Sequence, residues 1–260
     1  MNISLFYSTD TWLISLILFL LMLIAIYSGV KLAKLTKVSQ SQDEADNNFN
    51  NAIYGIMGLL LAFTFSMAGS RFDSRKKVIV QEANCIGTAI LRADMYPDSV
   101  RVLFREDFKK YLEERINYFD AHRDIAKVME SLNSAEIYSA NLWERATSLS
   151  KNPVFFAQTN QMIPALNEMF DIANERLNDE LYKLPDAIIG MLFIVILFAS
   201  FLLGFSSISK GKFEWYTPYY FSFIVVMIFY IILDLDKPRS GLINMDESQK
   251  SITALREMFK

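Results

Sequence analysis

The chain has 260 residues, 52% of them hydrophobic, with 26 Lys and Arg against 29 Asp and Glu. A net charge of -3 leaves no broad basic surface for a phosphate backbone, so nucleic acid is not an expected partner. Cys85 and His122 are each the sole residue of their type, which excludes an intrachain disulfide, a zinc finger or a His-rich metal cluster; no metal or cofactor is expected.

The hydrophobic residues are concentrated. Residues 13–30, 51–70, 187–209 and 215–233 contain no Asp, Glu, Lys or Arg. At about 1.5 Å per helical residue each reaches roughly 27 to 35 Å, against a bilayer hydrocarbon core of about 30 Å. The expected fold is all-α: a four-span transmembrane helical protein with a helical cytoplasmic insert between spans two and three. The first run has no Lys or Arg ahead of it and passes through Ser28-Gly29-Val30 straight into Lys31, so it reads as a retained span. With the second run it makes a transmembrane hairpin over residues 1–70, joined by a polar turn over 40–51.

The second run carries the densest information. It reads Gly55-Ile-Met-Gly58-Leu-Leu-Leu-Ala-Phe63-Thr-Phe65-Ser-Met-Ala-Gly-Ser70, followed by Arg71-Phe-Asp-Ser-Arg75-Lys-Lys77. Gly55, Leu59 and Phe63 recur at four-residue spacing, and Ser66 and Ser70 follow on an adjacent face. Gly55, Gly58, Ala62 and Ala68 are small enough for helices to approach closely, which points to a tight multi-helix, homo-oligomeric assembly. Copies ringed about an axis would make Leu59 and Phe63 a hydrophobic constriction, with hydroxyls and then a basic ring from Arg71 beyond it; such constrictions gate by dewetting, and basic rings favour anions. A helix-dimer seam of the small-xxx-small kind fits the same residues equally well.

Residues 71–185 form the insert. From Thr88 to Ile189 there is no Gly, too little punctuation for strands joined by tight turns, so the insert is expected to be helical. After the Tyr96-Pro97-Asp98 break, Val100, Phe104, Phe108, Tyr111, Leu112 and Phe119 mark one helical stripe, with Asp98 as its expected N-cap. Between Pro164 and Pro185, Leu166, Met169, Phe170, Ala173, Leu177, Leu181 and Leu184 mark another. These stripes read as core seams or subunit contacts. No phosphate loop or nucleophile elbow is present, and Glu113-Glu114 beside Lys109, Lys110 and Arg115 reads as a solvated helix face with i,i+4 pairing, so no catalytic residue is expected and the chain does not read as an enzyme. His122 is expected on the surface near a helix end, and Cys85 as a small buried helix residue.

The second hairpin covers 186–233 and a cytoplasmic tail covers 234–260. Asp234 and Asp236 lie at the membrane edge, where ionisable groups need partners. With Asp73 and Arg239 they read as a salt-bridge collar taking Arg71, Arg75, Lys237 or Arg239; a cation site is the alternative. Lys and Arg within about 15 residues of the spans number eight on the side of the termini and insert and five on the other. That places the N- and C-termini in the cytoplasm, at the plasma (inner) membrane.

The stretch Gly58-Leu-Leu-Leu-Ala-Phe63, then Arg71-Phe72, Arg75, Glu82-Ala-Asn84 and Gly87, resembles the pore helix and following turn of the bestrophin and bestrophin-like membrane proteins. Asp234-Leu-Asp-Lys-Pro-Arg-Ser-Gly241 is similar to the tail of the bacterial branch. The resemblance implies a pentameric ion channel, usually passing inorganic anions, whose second spans line a central pore. Its neck would fall on Gly55, Leu59 and Phe63, its basic or gating positions on Arg71 and Arg75. The sequence departs from the pattern in having one aromatic neck residue, Asp73 after Phe72, and no acidic run after span four to match the animal calcium clasp. The alternative function is a non-conducting membrane scaffold or sensor whose insert docks a partner protein.

Overall fold

The computed structural model describes residues 9–36, 44–206, 215–237 and 241–260, and these are helical with no strand among them. Eight α-helices follow in order: α1 (Thr11–Thr36), α2 (Glu44–Ala93), α3 (Asp98–Asp120), α4 (Ile125–Ser150), α5 (Phe156–Leu181), α6 (Asp186–Ser206), α7 (Tyr216–Leu235) and α8 (Asp246–Thr253), with a terminal 3-10 turn over Ala254–Phe259. Among the described residues, four helices are long and apolar enough to cross a membrane. The described part of the last uncharged run but one ends at Ser206, and 207–209 lie outside the described residues. The 40–43 part of the polar turn also lies outside them; α2 starts at Glu44, within the segment read as that turn.

The chain divides into two compact units. The first comprises Met1–Ser70 and Lys183–Lys237. Within it α1 packs along α6 and α7. Leu18, Met22 and Ile26 on α1, Leu192 and Ile196 on α6, and Val225 and Phe229 on α7 are buried, while Leu20, Ile24, Ile194 and Ile224 face outward. Outward apolar side chains are what a helix in lipid requires, since the hydrocarbon competes for them on equal terms. The close approach in this unit is at Gly29 and Gly204: a Cβ at Gly204 would run into the Ile26 backbone, and one at Gly29 into the Phe201 carbonyl. Here the absent side chain is what lets two backbones touch. Gly55 and Gly58, marked by sequence for close packing, have open space around them within the single chain.

The second unit comprises Arg71–Tyr182 and Pro238–Lys260. Ile86 and Ile90 of α2, Phe104, Phe108 and Leu112 of α3, Leu142 of α4, Met162, Leu166 and Met169 of α5, and Ile252 of α8 form one hydrophobic core. The stripe expected over 100–119 is the inward face of α3, with Phe104, Phe108, Tyr111 and Leu112 buried. Asp98 is not its cap: the N-cap position is Pro97, which has no side-chain donor or acceptor, and Asp98 is the first helical residue, where its charge still favours the helix N-terminus. Asp124 does cap α4, accepting from the Lys127 amide at 3.2 Å.

The stripe read between Pro164 and Pro185 lies on a helix that begins at Phe156, with Pro164 inside it. A proline in a helix interior forfeits a backbone bond; here buried Thr159 and Met162 before it and Ala165, Leu166 and Met169 after it hold both halves to the core. His122 is exposed, as expected, and holds a positive φ of 45° in the turn after α3, a conformation non-glycine residues adopt rarely. Cys85 is half-buried rather than buried. Burial and the charges of Glu168 and Glu82 push its thiol up, so it is not an activated nucleophile.

Candidate functional site

α2 decides the site, because its register fixes which residues share a face. Met57, Leu61, Thr64 and Ala68 are buried, and the Thr64 hydroxyl donates to the Leu60 carbonyl at 2.7 Å, so that face is satisfied within the chain. Across the helix Leu59 is 56% and Phe63 60% exposed, and Gly55, Ser66 and Ser70 are exposed with them. The sequence-predicted neck and hydroxyl residues therefore share one uncovered strip. This helix is also the least covered span, with 22% of its most apolar stretch buried against 33% to 44% in the other three.

The basic residues beyond Ser70 have different surroundings. Arg71 is half-buried and Asp73 exposed. Arg75 is 3% exposed; its Nε donates to the Asp179 carbonyl at 3.1 Å and its Nη2 to the Tyr182 carbonyl at 2.7 Å. Those carbonyls belong to the last turn of α5 and the residue after it, where four backbone acceptors lack helical donors and a cation is favoured. Arg75 is thus a C-terminal cap of α5. Ser74 donates to Asp179 Oδ2 at 3.2 Å, and Lys76 sits 5.5 Å from the Phe72 ring.

Asp234 and Asp236 are buried at the C-terminal end of α7, where carboxylates are disfavoured without donors. Asp236 Oδ2 accepts the Leu184 amide at 2.8 Å, ahead of α6, and Lys237 Nζ donates to the Thr9 carbonyl at 2.5 Å. Arg239, the remaining collar residue, lies outside the described residues. No group of three or more His, Cys, Asp and Glu side chains is arranged to hold a metal among the described residues.

A second charged cluster carries no sequence expectation beyond the presence of Glu82 in the resembling motif. Glu82 is fully buried; Arg115 Nε reaches its Oε1 at 2.5 Å and Arg176 Nη1 its Oε2 at 2.6 Å. Arg176 Nη2 also donates to Gln249 Oε1 at 3.2 Å, and both guanidiniums lie over the Tyr118 ring, at 5.0 and 5.4 Å. The Tyr118 hydroxyl donates to Glu180 Oε2 at 2.9 Å. Burial alone would push the Glu82 carboxyl up; the two arginines outweigh it and hold it below the usual range. The available signal was position, since Glu82 shares a helix face with Ile79, Ala83 and Ile86. An acid on an apolar stripe asks for buried partners.

Glu113 corrects another reading. Instead of an i,i+4 partner it takes Arg256 of the terminal turn, Nε to Oε1 at 2.8 Å and Nη2 to Oε2 at 2.5 Å. The i,i+4 pair on that helix is Glu106 with Lys110, at 2.8 Å.

Comparison with known proteins bears on the whole chain. No curated protein matches the sequence. Two crystal structures of a bacterial bestrophin homologue from Klebsiella pneumoniae share its fold. One, a mutant, superposes with a TM-score of 0.69 at 12% identity, covering 97% of this chain and 100% of that one. The other gives 0.65 at 14% identity, covering 94% and 97%. The family profile of the Bestrophin-like domain matches residues 13–249. With four membrane-competent helices, an all-α fold and a family match over nearly its whole length, this chain belongs to the Bestrophin-like family.

Proposed function

We propose that the protein is an oligomeric, anion-conducting membrane channel, a ring of about five copies in which α2 of each lines a central pore and Leu59 and Phe63 form an apolar neck. The observation that carries this reading is the uncovered strip of α2. Two large apolar side chains and two hydroxyls stand on the face opposite the chain's own packing, in the least covered span. An apolar neck narrow enough to shed water blocks ions until it widens, and Arg71 beyond Ser70 supplies the sign that favours anions. Asp234 and Asp236 are assigned to charge pairing at the membrane edge, where Asp236 also takes the Leu184 amide. The termini and the helical unit lie in the cytoplasm, by the excess of Lys and Arg on their side of the inner membrane.

The test is flux from vesicles holding the purified chain. Phe63→Ala removes most of the neck and is expected to raise chloride leak about tenfold or more, roughly the effect of lowering a permeation barrier by 1.4 kcal/mol. Unchanged flux in a chain that conducts would move the constriction elsewhere. A particle mass, corrected for detergent, equal to one or two copies would remove the central pore.

A scaffold or sensor is the second reading. Ile125, Met129 and Ile137 of α4 are exposed, at 73%, 51% and 60%, and would give a partner apolar contacts. A partner retained by the full chain, with no ion flux, would favour it.

A further inference from the structure

The helical unit holds a groove of about 420 Å³ bounded by α3, α4 and α5, at a distance in sequence from every pore residue. One wall consists of donors. Arg115 gives its Nε to Glu82, its Nη2 has no hydrogen-bond partner, and its side chain, 4% exposed, lines the groove. Tyr111, one helical turn earlier, lines it too. Burial pushes the Tyr111 phenol up to about 12, so its hydroxyl stays protonated at neutral pH and donates. The other wall consists of acceptors on α4. Glu136 is exposed, and the Ser139 hydroxyl spends its proton on the Glu136 carbonyl at 2.8 Å, leaving lone pairs free to accept. Phe170 and Leu177 of α5 supply an apolar floor.

A simple anion would meet repulsion from Glu136, and a simple cation would find no acceptor on the Arg115 and Tyr111 wall, since Arg115 is already paired with Glu82. A molecule with both charges and an apolar body satisfies both walls and the floor at once. An unpartnered guanidinium donor on a side chain this buried gains more from a carboxylate than it would in water. We infer that this groove binds a zwitterionic amino acid with an apolar side chain, its carboxylate toward Arg115 and Tyr111 and its ammonium toward Glu136 and Ser139. The assignment does not depend on ion conduction.

The experiment is isothermal titration calorimetry of the full-length chain in mild detergent with L-leucine, isovalerate and isoamylamine, the last two each carrying one end of the first. Leucine is expected to saturate the site, with each half-ligand at least about tenfold weaker. Glu136→Gln should weaken leucine about tenfold and strengthen isovalerate, because the ammonium contact is lost and with it the repulsion felt by a lone carboxylate. Ala173→Leu, which adds bulk to the groove wall while replacing no member of the Glu82 cluster, should abolish binding in a chain whose melting matches the parent. Three outcomes overturn the inference. They are no saturable leucine heat up to about 10 mM, equal binding of the three probes, and leucine binding that survives both substitutions.

Discussion

The unit built around α1, α6 and α7 and the unit built around α3, α4 and α5 follow one rule in two solvents. In the first, bulky apolar residues such as Leu20, Ile24, Ile194 and Ile224 point outward, and the tightest contact is made where there are no side chains at all, at Gly29 and Gly204. In the second, the bulky residues Phe104, Phe108, Leu142 and Met169 are inside, and outer faces carry pairs such as Glu106 with Lys110. Water rewards hiding a phenylalanine; lipid does not, and leaves close backbone packing and polar satisfaction to hold helices together. The difference teaches that burial of a large residue is informative in the helical unit, whereas burial of a small one is informative in the membrane unit.

That contrast can be broken at its sharpest points. Glu82→Leu strands two buried guanidiniums, and the full chain in detergent is expected to lose about 3–5 kcal/mol of stability. The readout is chemical unfolding followed through hydrogen exchange of residues 71–182. A loss below about 1 kcal/mol would mean that Arg115 and Arg176 regain water in the variant.

In the membrane unit the expected sensitive position is a glycine. Gly204→Leu drives a side chain into the α1 backbone at Ile26 and should cost about 1–3 kcal/mol, seen as a lower melting temperature in detergent. Gly55→Leu, with open space around it in the chain, should change single-chain stability by less than about 0.5 kcal/mol. Equal losses at the two positions would erase the distinction between them.

Acid sharpens the same comparison. Because the folded-state pKa of Glu82 is depressed, its contribution is fully present above its ordinary value of 4.5 and is lost as pH falls from there through the lower folded value. Stability of residues 71–182 should therefore decline below that pH, and the Glu82→Leu variant should show a flatter profile over the same window.

The smallest effect is expected at the terminal turn. Glu113 and Arg256 are 37% and 46% exposed, so a double-mutant cycle with Glu113→Gln and Arg256→Ala should report a coupling of about 0.2–1 kcal/mol, weakening with salt.

Part of this was legible in the sequence. Four uncharged runs are long enough for a bilayer, and that arithmetic needs no partner. The period of Gly55, Leu59 and Phe63 was legible too, and the structure leaves those residues on one exposed strip. The roles of Arg75 and Glu113 were not. Each is settled by a residue about 100 or more positions away, Tyr182 for the first and Arg256 for the second, and no local pattern encodes such a pairing. Pro164 shows the same limit: local preference ends a helix at proline, and core packing on both sides overrides it.

By itself the sequence determined the solvent of each segment, the all-α class and the face periodicity of the second span, because these depend on composition and on the fixed pitch of a helix. Only the tertiary structure decided that Glu82 is shared by Arg115 and Arg176, that Gly29 and Gly204 rather than Gly55 and Gly58 mark the close approach within the chain, and that the terminal turn is tied to α3 through Glu113. The physical reason is that a charge or a bare backbone has no fixed worth in one dimension; its neighbours across the fold set it.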